Sequence, residues 1–403
     1  LARAACQAGW RVIGLDQDQR VVDTLLSGYS HIGDVSTDDV EKMLLDGFFP
    51  TTSNSHLAEA KVIVICVPTP LADDGVPDLS SVSKAGTVIA EYLQSGQLVI
   101  LESTTYPGTT EEVLIPLLEV SGLKAGADFS VAFSPERIDP GNSAFGVSNT
   151  PKVVGGLTPE CTQEAVAFYG SFIGSVVVAR GLREAEMSKL LENTYRHVNI
   201  ALVNELAQLC HLLDVDLWDA IRCASSKPFG FEAFYPGPGV GGHCIPIDPN
   251  YLSHRVRTYL GQPFRFVELA QEINSGMPLY VVKRAQEALN RLQLPVRGSR
   301  VLLIGVTYKA DIADQRESPA VDVAVALHEL GARVSYLDPY VDRWAPYGED
   351  VLREALLEQA LLNCDLAIVL QHHGLLDLSP ISASPTRVLD TRGVLSGCNV
   401  ETL

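Results

Sequence analysis

AGWRVIGLD, residues 8–16, is the stretch that decides the fold of this chain. Gly9 predicts the end of a helix, because glycine enters the left-handed conformation of a helix terminus without steric cost. WRVIGLD then predicts a short apolar strand that stops at the acidic Asp16. The opening LARAACQAGW has the pattern of the second half of a helix, so we expect a strand and a Gly-rich loop upstream of Leu1.

Short apolar runs separated by helical stretches continue along both halves of the chain. The first half has KVIVICVPTP (61–70) and QLVILESTTYPG (97–108), with a helical pattern at 80–94. In the second half, helical patterns alternate with RVLLIGVTYK, ARVSYLDPY, CDLAIVLQ and TRVLDTRGV. Such alternation predicts parallel sheets covered by helices, with ligands bound beyond the carboxyl ends of the strands.

An internal repeat supports this assignment. LGARVSYLD (330–338) has the layout of AGWRVIGLD, which is that of the second strand in a Rossmann-like unit. Between the two halves, an amphipathic helix runs from Glu184 to about Leu213, and shorter helices follow near 216–224 and 264–292. The predicted fold class is therefore α/β, with two Rossmann-like doubly wound parallel-sheet domains joined by a long central helix and a small helical domain.

Charge and cysteine usage narrow the class of partner. Thirty Lys and Arg against forty-nine Asp and Glu give a net charge of −19, which repels nucleic acid and anionic lipid. No apolar run approaches the ~20 residues of a membrane helix, and no secretory leader pattern is present. The eight cysteines form no CxxC pair, so we expect reduced and mostly buried thiols. These features favour a cytoplasmic protein with neither a nucleic-acid nor a membrane partner.

Several polar residues lie where parallel strands end. Asp16 has the position of the acid that binds the adenosine ribose of NAD, although a helix N-cap is the alternative. Thr69, Ser103 and Thr104 belong to VPTP and ESTTYPG, which would lie at the carboxyl edge of the sheet. Ordinary turns contain the same residue types, so both interpretations stay open.

A second set of polar residues lies in an irregular loop and on the long helix. SPERIDPGN (134–142) contains Glu136, Arg137 and Asp139, which form either a functional loop or solvated surface charge. Lys189, Asn193 and His197 are spaced four apart on the helix, so Lys189 and Asn193 can point at one ligand. A helix surface commonly carries such residues without any function.

PGPGVGGHCIPIDP, residues 236–249, places one cysteine in a loop rich in glycine and proline. A thiol is a strong nucleophile towards a carbonyl carbon, and glycines such as Gly241 let backbone amides approach a substrate. Asp248 can act as a base, and the Lys189 ammonium can stabilise an oxyanion. A buried structural thiol is the alternative. Zinc is disfavoured, and we expect no metal, because Cys244 and His243 have no further Cys or His at zinc-site spacing.

The loop VTYKADIADQRESP (306–319) carries cations after the first strand of the second sheet. Lys309 and Arg316 suit contacts with phosphate, and a solvated loop is the alternative.

Together these motifs resemble one family. VPTP, ESTTYPGT, SPERIDPGN, KLLENTYRHVNIALVNELA, GPGVGGHCIPIDP and VTYKADIADQRESP, in this order, are similar to the UDP-sugar 6-dehydrogenases across essentially the whole chain. SPERIDPGN and PFGFEAFYPGPGVGGHCIPIDP resemble the UDP-N-acetylglucosamine 6-dehydrogenases of bacterial polysaccharide pathways more than the UDP-glucose enzymes, which usually carry a second glutamate where this chain has Pro140. UDP-N-acetylmannosamine and UDP-glucose remain alternative substrates.

The resemblance implies two successive oxidations of a primary alcohol by NAD⁺, giving a uronic acid. Cys244 would be the nucleophile, Lys189 would stabilise the charged oxygen, and Asn193 would be its hydrogen-bonding neighbour. Asp248 and Thr104 would position and activate water. Glu136 would lie near the reacting centre, with its role as acid or base left open.

The resemblance also implies ligand contacts, partners and boundaries. The NAD contacts would come from Asp16, Val67, Thr69, Ser103, Thr104 and Arg316. The UDP-sugar contacts would come from Glu136, Arg137, Lys189, Asn193, Phe234, Tyr235, Gly241, Lys309 and Arg392. The long helix would pair subunits into a homodimer or a higher homo-oligomer. The domains would be 1–181 for NAD (without its first strand and Gly-rich loop), 182–293 for dimerisation and the cysteine loop, and 294–403 for the UDP-sugar.

Two other functions stay open at this point. A two-electron dehydrogenase without covalent catalysis would share a nucleotide domain and a lysine-bearing helix. A nucleotide-sugar-binding protein without NAD activity would explain a chain in which the Gly-rich phosphate loop is not found.

Overall fold

The computed structural model describes residues 1–32, 35–72, 76–139, 144–242, 245 and 247–403. Residue contacts divide the chain into two compact units. The first unit comprises Leu1–Glu192 with Asn250–Gly261, and the second comprises Asn193–Pro249 with Gln262–Leu403. The division into three domains made from the sequence stays a prediction.

The first unit alternates helices and short strands from its first residues. Its elements are α1 (Ala2–Gln7), β1 (Ile13–Leu15), α2 (Gln19–Leu26), α3 (Thr37–Leu45), β2 (Phe49–Thr51), β3 (Val62–Ile65), α4 (Ser80–Tyr92), β4 (Leu98–Leu101), α5 (Ile115–Leu118), β5 (Ser130–Phe133), β6 (Lys152–Gly156), α6 (Pro159–Gly170) and β7 (Val176–Val178), before the long helix α7 (Leu182–Leu212). Short 3₁₀ turns lie at Asn54–Glu59 and Glu119–Ser121, and a π-helical turn lies at Thr110–Leu114.

The strands of this unit form two sheets. Strands β3, β4, β5, β6 and β7 are neighbours in that order, and all these pairs are parallel except β5 with β6. Strands β1 and β2 pair in a separate parallel sheet, whereas the sequence placed β1 in series with the others. Apolar side chains on both faces of the larger sheet are buried, among them Val99 and Phe133 on one face and Ile100 and Val154 on the other. Burial on both faces explains the continuous apolar runs in the sequence.

The second unit holds the larger parallel sheet. Its elements are α8 (Leu217–Ser225), α9 (Asp248–Leu260, which crosses into the first unit), α10 (Arg265–Arg291), β8 (Arg300–Ile304), α11 (Pro319–Glu329), β9 (Arg333–Leu337), β10 (Leu352–Arg353), α12 (Leu357–Asn363), β11 (Leu366–Val369), α13 (Pro380–Ala383), β12 (Arg387–Asp390) and β13 (Val400–Thr402). The strand order is β10-β9-β8-β11-β12-β13, and every pair is parallel. The α/β fold class with parallel-sheet Rossmann-like domains is thereby confirmed.

The internal repeat recognised in the sequence is also a structural repeat. Gly9 and Gly331 both have a φ of +86°, the left-handed conformation that follows a helix. Asp16 accepts a hydrogen bond from the N–H of Asp18 at 2.8 Å, and Asp338 accepts one from the N–H of Tyr340 at 2.8 Å. The same turn chemistry therefore follows the matching strand in each unit.

The cysteines differ from the sequence-based expectation in their burial. The seven cysteines that the structure describes are all unpaired, but only Cys6, Cys161 and Cys364 are buried, so the expectation of mostly buried thiols is wrong for this set.

Within the described residues, no helix combines the length and the apolar character that crossing a bilayer requires.

We predict that Gly305→Ala strongly destabilises the second unit. Gly305 has a φ of +75°, and a Cβ there would lie 2.1 Å from the carbonyl oxygen of Gln371. Gly298 has a φ of +86° with nothing within 4 Å of such an atom, so Gly298→Ala is the matched control. We expect the control to cost about 1–2 kcal/mol for its backbone conformation alone, and Gly305→Ala to cost at least about 2 kcal/mol more. Urea unfolding measures both, and equal losses would contradict the packing argument.

Candidate active site

The loops after β3 and β4 are hydrogen-bonded to each other. Ser103 Oγ donates to the carbonyl of Val67 at 2.7 Å, and Thr69 Oγ1 donates to the carbonyl of Thr104 at 2.9 Å. The hydroxyl of the fully buried Tyr251 also donates to the carbonyl of Thr69. The structure therefore brings together four residues that the sequence assigned to the cofactor.

Asp16 follows β1 as a half-buried carboxylate. Its Oδ1 accepts the N–H of Asp18, while Asp18 itself caps helix α2 by accepting the N–H of Arg20. Asp18 is therefore the N-cap residue of α2, and the N-cap alternative for Asp16 is wrong. A carboxylate at the end of a parallel strand fits the ribose hydroxyls of NAD.

Glu136 lies in the loop after β5 and contacts the long helix α7. Its Oε1 accepts the N–H groups of Arg137 and Ile138, both at 2.7 Å. Lys189 is buried, and its Nζ donates to the carbonyl oxygen of Glu136 at 2.6 Å. Arg137 Nη2 forms an ion pair with Glu192 Oε1 at 2.8 Å, so its guanidinium turns to the helix. Lys189, Glu136 and Arg137, predicted from separate motifs, lie together in the first unit.

A buried ion pair beside Glu136 was not recognised in the sequence. Lys152 Nζ lies 2.7 Å from Glu102 Oε1 and 3.7 Å from Glu136 Oε2. Lys152 begins a strand and Glu102 directly follows one, positions at which a charged residue is commonly solvated. No local signal distinguishes that case from a buried pair.

Thr105 was also missed, although its neighbour Thr104 was selected. Thr105 is 1 % exposed, and its Oγ1 has no hydrogen-bond partner among the described residues, whereas Thr104 is half-buried. An unsatisfied buried hydroxyl costs about 1–3 kcal/mol, so a water or ligand at this position would be stabilising. The sequence ESTTYPG cannot show which of two adjacent threonines turns inward.

Asn193 and Asp248 are joined in the second unit. The Asn193 amide donates to Asp248 Oδ2 at 2.5 Å, and both residues are at least nine-tenths buried. Asp248 is the first residue of α9, where a carboxylate interacts favourably with the helix dipole. Asn193 lies one turn after Lys189 on α7. Cys244, the predicted nucleophile, lies outside the described residues, as do its neighbours His243 and Pro246 and also Pro140.

The loop that precedes Cys244 is fixed by a chain of buried amides. The Gly237 N–H donates to Asn204 Oδ1 at 3.0 Å, and Asn204 Nδ2 donates to Asn274 Oδ1 at 2.9 Å. Asn274 Nδ2 in turn donates to the carbonyl of His197 at 3.2 Å. His197, which the sequence placed on the face of Lys189, therefore packs against α10 and belongs to this anchor.

The glycines of this loop have a packing role. A Cβ on Gly241 would lie 2.4 Å from the carbonyl oxygen of Glu317, and one on Gly242 would lie 2.5 Å from the ring of Tyr308. The carbonyl of Glu317 therefore excludes a side chain at Gly241, and the Tyr308 ring excludes one at Gly242, a packing reason for both glycines beside the predicted substrate access. The predicted substrate contact of Gly241 stays a prediction.

The two predicted aromatic contacts have different surroundings. Phe234 packs into an apolar cluster with Val203 and Leu217, which leaves it half-buried. Tyr235 is 54 % exposed and stacks on Trp218, with ring centres 5.5 Å apart. Tyr235 therefore presents a free ring face, and Phe234 mainly supports the segment.

The predicted phosphate-binding cations are all in the second unit. Arg316 is exposed and forms a two-pronged contact with Asp314, with its Nε 2.8 Å from Oδ1. Lys309 is half-buried, and its carbonyl accepts the Thr307 hydroxyl. Arg392 Nε donates to the carbonyl of Leu370 at 2.7 Å, and burial lowers the pKa of Arg392 to about 10. The guanidinium of Arg392 also lies next to Gly237, 3.0 Å from the position of a Cβ there.

A cavity of about 730 Å³ in the first unit contains none of the predicted site residues. It is lined by Leu157, Val166 and Val178 together with Arg180 and Arg183, at the carboxyl end of β7. Cavity size alone therefore does not identify the active site of this chain.

Three family models match this chain in succession. They describe the NAD binding domain, the central domain and the UDP binding domain of the UDP-glucose/GDP-mannose dehydrogenase family, at residues 1–173, 183–276 and 302–397. The UDP-N-acetyl-D-glucosamine 6-dehydrogenase of Pseudomonas aeruginosa is 36% identical over 345 residues, which are 85% of this chain and 79% of that protein. The NDP-N-acetyl-D-galactosaminuronic acid dehydrogenase of Ralstonia solanacearum is 33% identical over 396 residues, which are 96% and 90%.

A solved structure extends the similarity to three dimensions. The UDP-D-ManNAc dehydrogenase from Pyrococcus horikoshii has a TM-score of 0.89 and 31% identity, covering 100% of this chain and 94% of that one. Fold and matches together define an NAD-dependent oxidoreductase that acts on UDP-sugars. The chain belongs to the UDP-glucose/GDP-mannose dehydrogenase family. The alternative of a binding protein without NAD activity is therefore wrong.

We predict that His197 makes the stability of the fold sensitive to acid. Burial lowers the pKa of His197 to about 4 from 6.5, so the ring is neutral in the folded chain at pH values where the unfolded chain already binds a proton. Stability is therefore fully present above about pH 6.5 and falls as the pH drops towards 4, by about 3 kcal/mol in total. Urea unfolding of the parent and of His197→Gln at pH 7 and pH 5 measures the effect.

The expected result is a smaller pH dependence in His197→Gln than in the parent. His328→Gln, at an exposed histidine, is the matched control and should keep the dependence of the parent. An unchanged slope in His197→Gln would show that other groups govern the acid sensitivity.

Proposed function

We propose that this chain oxidises the primary alcohol of a UDP-N-acetylhexosamine, UDP-N-acetylglucosamine in the first instance, to the UDP-uronic acid with two NAD⁺. The product would serve bacterial surface polysaccharide or related nucleotide-sugar biosynthesis. The hydrogen bond between Asn193 and Asp248 carries the proposal. It fixes a buried carboxylate four residues after Cys244, next to the helix that bears Lys189.

The proposed reaction has three steps that balance. Loss of a hydride and a proton converts the alcohol to an aldehyde, and the Cys244 thiol then adds to the carbonyl carbon to give a thiohemiacetal. Loss of a second hydride and proton gives a thioester. Water cleaves its C–S bond, releasing the carboxylate and restoring the thiol. NAD⁺, when bound, supplies the hydride acceptor for both oxidations. The covalent bond keeps the aldehyde from escaping between them.

The roles proposed for the surrounding residues follow from their contacts. The Lys189 ammonium would stabilise the negative charge that develops on the sugar oxygen. Asn193 would hold Asp248 in one orientation, and the Asp248 carboxylate would accept a proton from the attacking water. Glu136 would lie at the same centre, with its carboxylate held by two backbone N–H groups.

Either of two threonines can hold the attacking water. Thr104 is the residue that the family motif suggested. The unsatisfied, buried Oγ1 of Thr105 makes it the better candidate on physical grounds, because a bound water would supply the missing hydrogen bond.

The residues proposed to hold NAD are Asp16, Val67, Thr69, Ser103, Thr104 and Arg316. The half-buried Asp16 carboxylate suits the ribose hydroxyls, and Asp18 leaves it free of the capping role. The UDP-sugar would be held by Glu136, Arg137, Phe234, Tyr235, Gly241, Lys309 and Arg392. Tyr235 offers an exposed ring face, and the cations offset the acidic surface of the protein.

The identity of the sugar rests on short motifs. PFGFEAFYPGPGVGGHCIPIDP and SPERIDPGN favour the N-acetylglucosamine enzymes. The relatives described above are named for three different N-acetylated sugars, at 36%, 33% and 31% identity, so UDP-N-acetylmannosamine is the runner-up and UDP-glucose the third candidate.

We also propose a homodimer in the cytoplasm, formed through α7. Leu191, Leu202 and Leu209 are 59%, 52% and 49% exposed, and their spacing of 11 and 7 residues places them on one face of the helix. An exposed apolar stripe of this kind is typical of a subunit interface.

The substrate assignment predicts the outcome of a panel of UDP-sugars. UDP-N-acetylglucosamine should give the highest kcat/KM among UDP-N-acetylglucosamine, UDP-N-acetylmannosamine, UDP-glucose and UDP-galactose, with two NADH per sugar by absorbance. A ratio near one would support two-electron oxidation without covalent catalysis. A clear preference for another sugar would correct the substrate.

The covalent step predicts that Cys244→Ser loses uronate formation by about 10³-fold or more, because a hydroxyl is a far poorer nucleophile than a thiolate. NAD binding, measured by fluorescence titration, should change little. Cys398→Ser, at an exposed thiol, is the matched control and should turn over normally. Normal uronate production by Cys244→Ser would refute the thioester route.

The water-holding role predicts a difference between two adjacent variants. Thr105→Val should slow cleavage of the thioester, so that one burst of NADH is followed by a steady rate about tenfold or more below that of the parent. Thr104→Val is the matched comparison. A larger defect in Thr104→Val than in Thr105→Val would show that Thr104 holds the attacking water.

A further inference from the structure

Lys152 is a buried cation that the chemistry proposed above does not use. It begins β6 and is only 6% exposed. Its Nζ lies 2.7 Å from Glu102 Oε1 and 3.7 Å from Glu136 Oε2. A buried ammonium loses its hydration, and pairing repays this loss only when the geometry is good. An apolar side chain at this position would avoid the desolvation cost of the ammonium, so the buried charge needs an explanation other than stability.

Glu102 fixes the ammonium in place. It is 4% exposed and accepts hydrogen bonds from the Tyr169 hydroxyl at 2.5 Å and from the Cys66 thiol at 3.5 Å. Lys152 Nζ also lies 5.2 Å from the centre of the Tyr169 ring. Burial, and then the charge of Glu102, raises the pKa of Tyr169, so the phenol remains a neutral donor. Lys152 cannot rotate away without leaving Glu102 unpaired.

The Glu136 carboxylate faces donors at both oxygens. Oε1 accepts the N–H groups of Arg137 and Ile138, and Oε2 faces the ammonium of Lys152. Lys189 adds positive charge by donating to the carbonyl of the same residue. This set of donors holds the carboxylate in one orientation.

Other charged and polar groups surround this contact. The Arg137 guanidinium is paired with Glu192 of α7, and Glu102, the residue after β4, pairs with Lys152. Asp139 is exposed further along the same loop. Cys66, the residue after β3, and Tyr169 of α6 are uncharged donors to Glu102. Among the described residues, the ammonium of Lys152 is the only cation in an ion pair with the Glu136 carboxylate.

We propose that Lys152, fixed by Glu102, is a positioning residue that keeps the Glu136 carboxylate aimed in one direction during turnover. The inference rests on the proposed function, which places Glu136 at the reacting centre. Lys152 acts through Glu136 and needs no contact with the sugar or NAD.

The direct test removes the buried pair as a unit. Lys152→Met alone leaves the charge of Glu102 buried without a partner and threatens folding, so the informative variant is Lys152→Met with Glu102→Gln. We expect kcat with the preferred UDP-sugar to fall about tenfold, with KM changed less than about threefold.

Two further variants separate charge from packing. Lys152→Arg keeps the cation and should restore kcat to within about threefold of the parent. Lys124→Met removes an exposed lysine that pairs with Glu119, and it should change neither kcat nor KM. A folded double variant with the kcat of the parent would show that the pair serves packing alone, and the inference would be overturned.

A second measurement does not depend on turnover. Glu136→Gln is introduced into the parent and into the Lys152→Met, Glu102→Gln background, and urea unfolding is followed at pH 7. We expect Glu136→Gln to change stability differently in the two backgrounds, as residues in contact do. Such coupling in a protein that oxidises no UDP-sugar would refute the proposed function and leave the contact intact. Equal effects in both backgrounds would overturn the inference itself.

Discussion

A buried carboxylate, Glu186, ties the long helix to the turn that follows β4, and the position of Lys189 depends on this anchor. Glu186 is fully buried and accepts the N–H of Gly108 at 2.6 Å, the N–H of Thr110 at 2.9 Å and the Thr110 hydroxyl at 2.7 Å. Burial raises the pKa of Glu186, and the three donors oppose that shift. Because Lys189 lies one turn further along α7, this anchor sets the position from which Lys189 reaches the carbonyl of Glu136.

The buried cations contrast with an acidic surface. With a net charge of −19, the protein as a whole repels a nucleotide-sugar that carries two phosphates. The roles proposed above for Lys152 and Lys189 use cations that the first unit holds inside the protein. In the second unit Lys309 and Arg392 are at least partly shielded from water. Charges placed in this way are less screened by salt than surface charges.

Much of the fold was predictable because it is encoded locally. Glycines such as Gly9 and Gly331 mark helix ends, and apolar runs mark strands that are buried on both faces. Strand direction is not encoded in this way. Lys152–Gly156 is a wholly buried strand with no alternation, and nothing in its composition shows that it runs antiparallel to β5. The two-residue strand Leu352–Arg353 is too short to give a pattern at all.

The site was predictable where helix spacing or a loop motif determines it. The four-residue spacing and the cysteine loop led to Asn193 and Asp248, which the structure joins by a hydrogen bond. Thr105 was missed because the direction of its side chain is not encoded locally, and Lys152 was missed because its role depends on partners distant in the sequence. Glu102, for example, lies fifty residues before Lys152, and only the folded sheet brings the two together.

The contact between the glycine loop and Tyr308 limits how this protein can change. A side chain at Gly242 needs a smaller or displaced Tyr308 ring, whereas one at Gly241 also meets the backbone carbonyl of Glu317, which no substitution removes. Positions 242 and 308 are therefore expected to vary together among relatives, and Gly241 is expected to stay glycine. For the engineer, randomising position 308 together with the cysteine loop makes room at position 242, while position 241 stays closed.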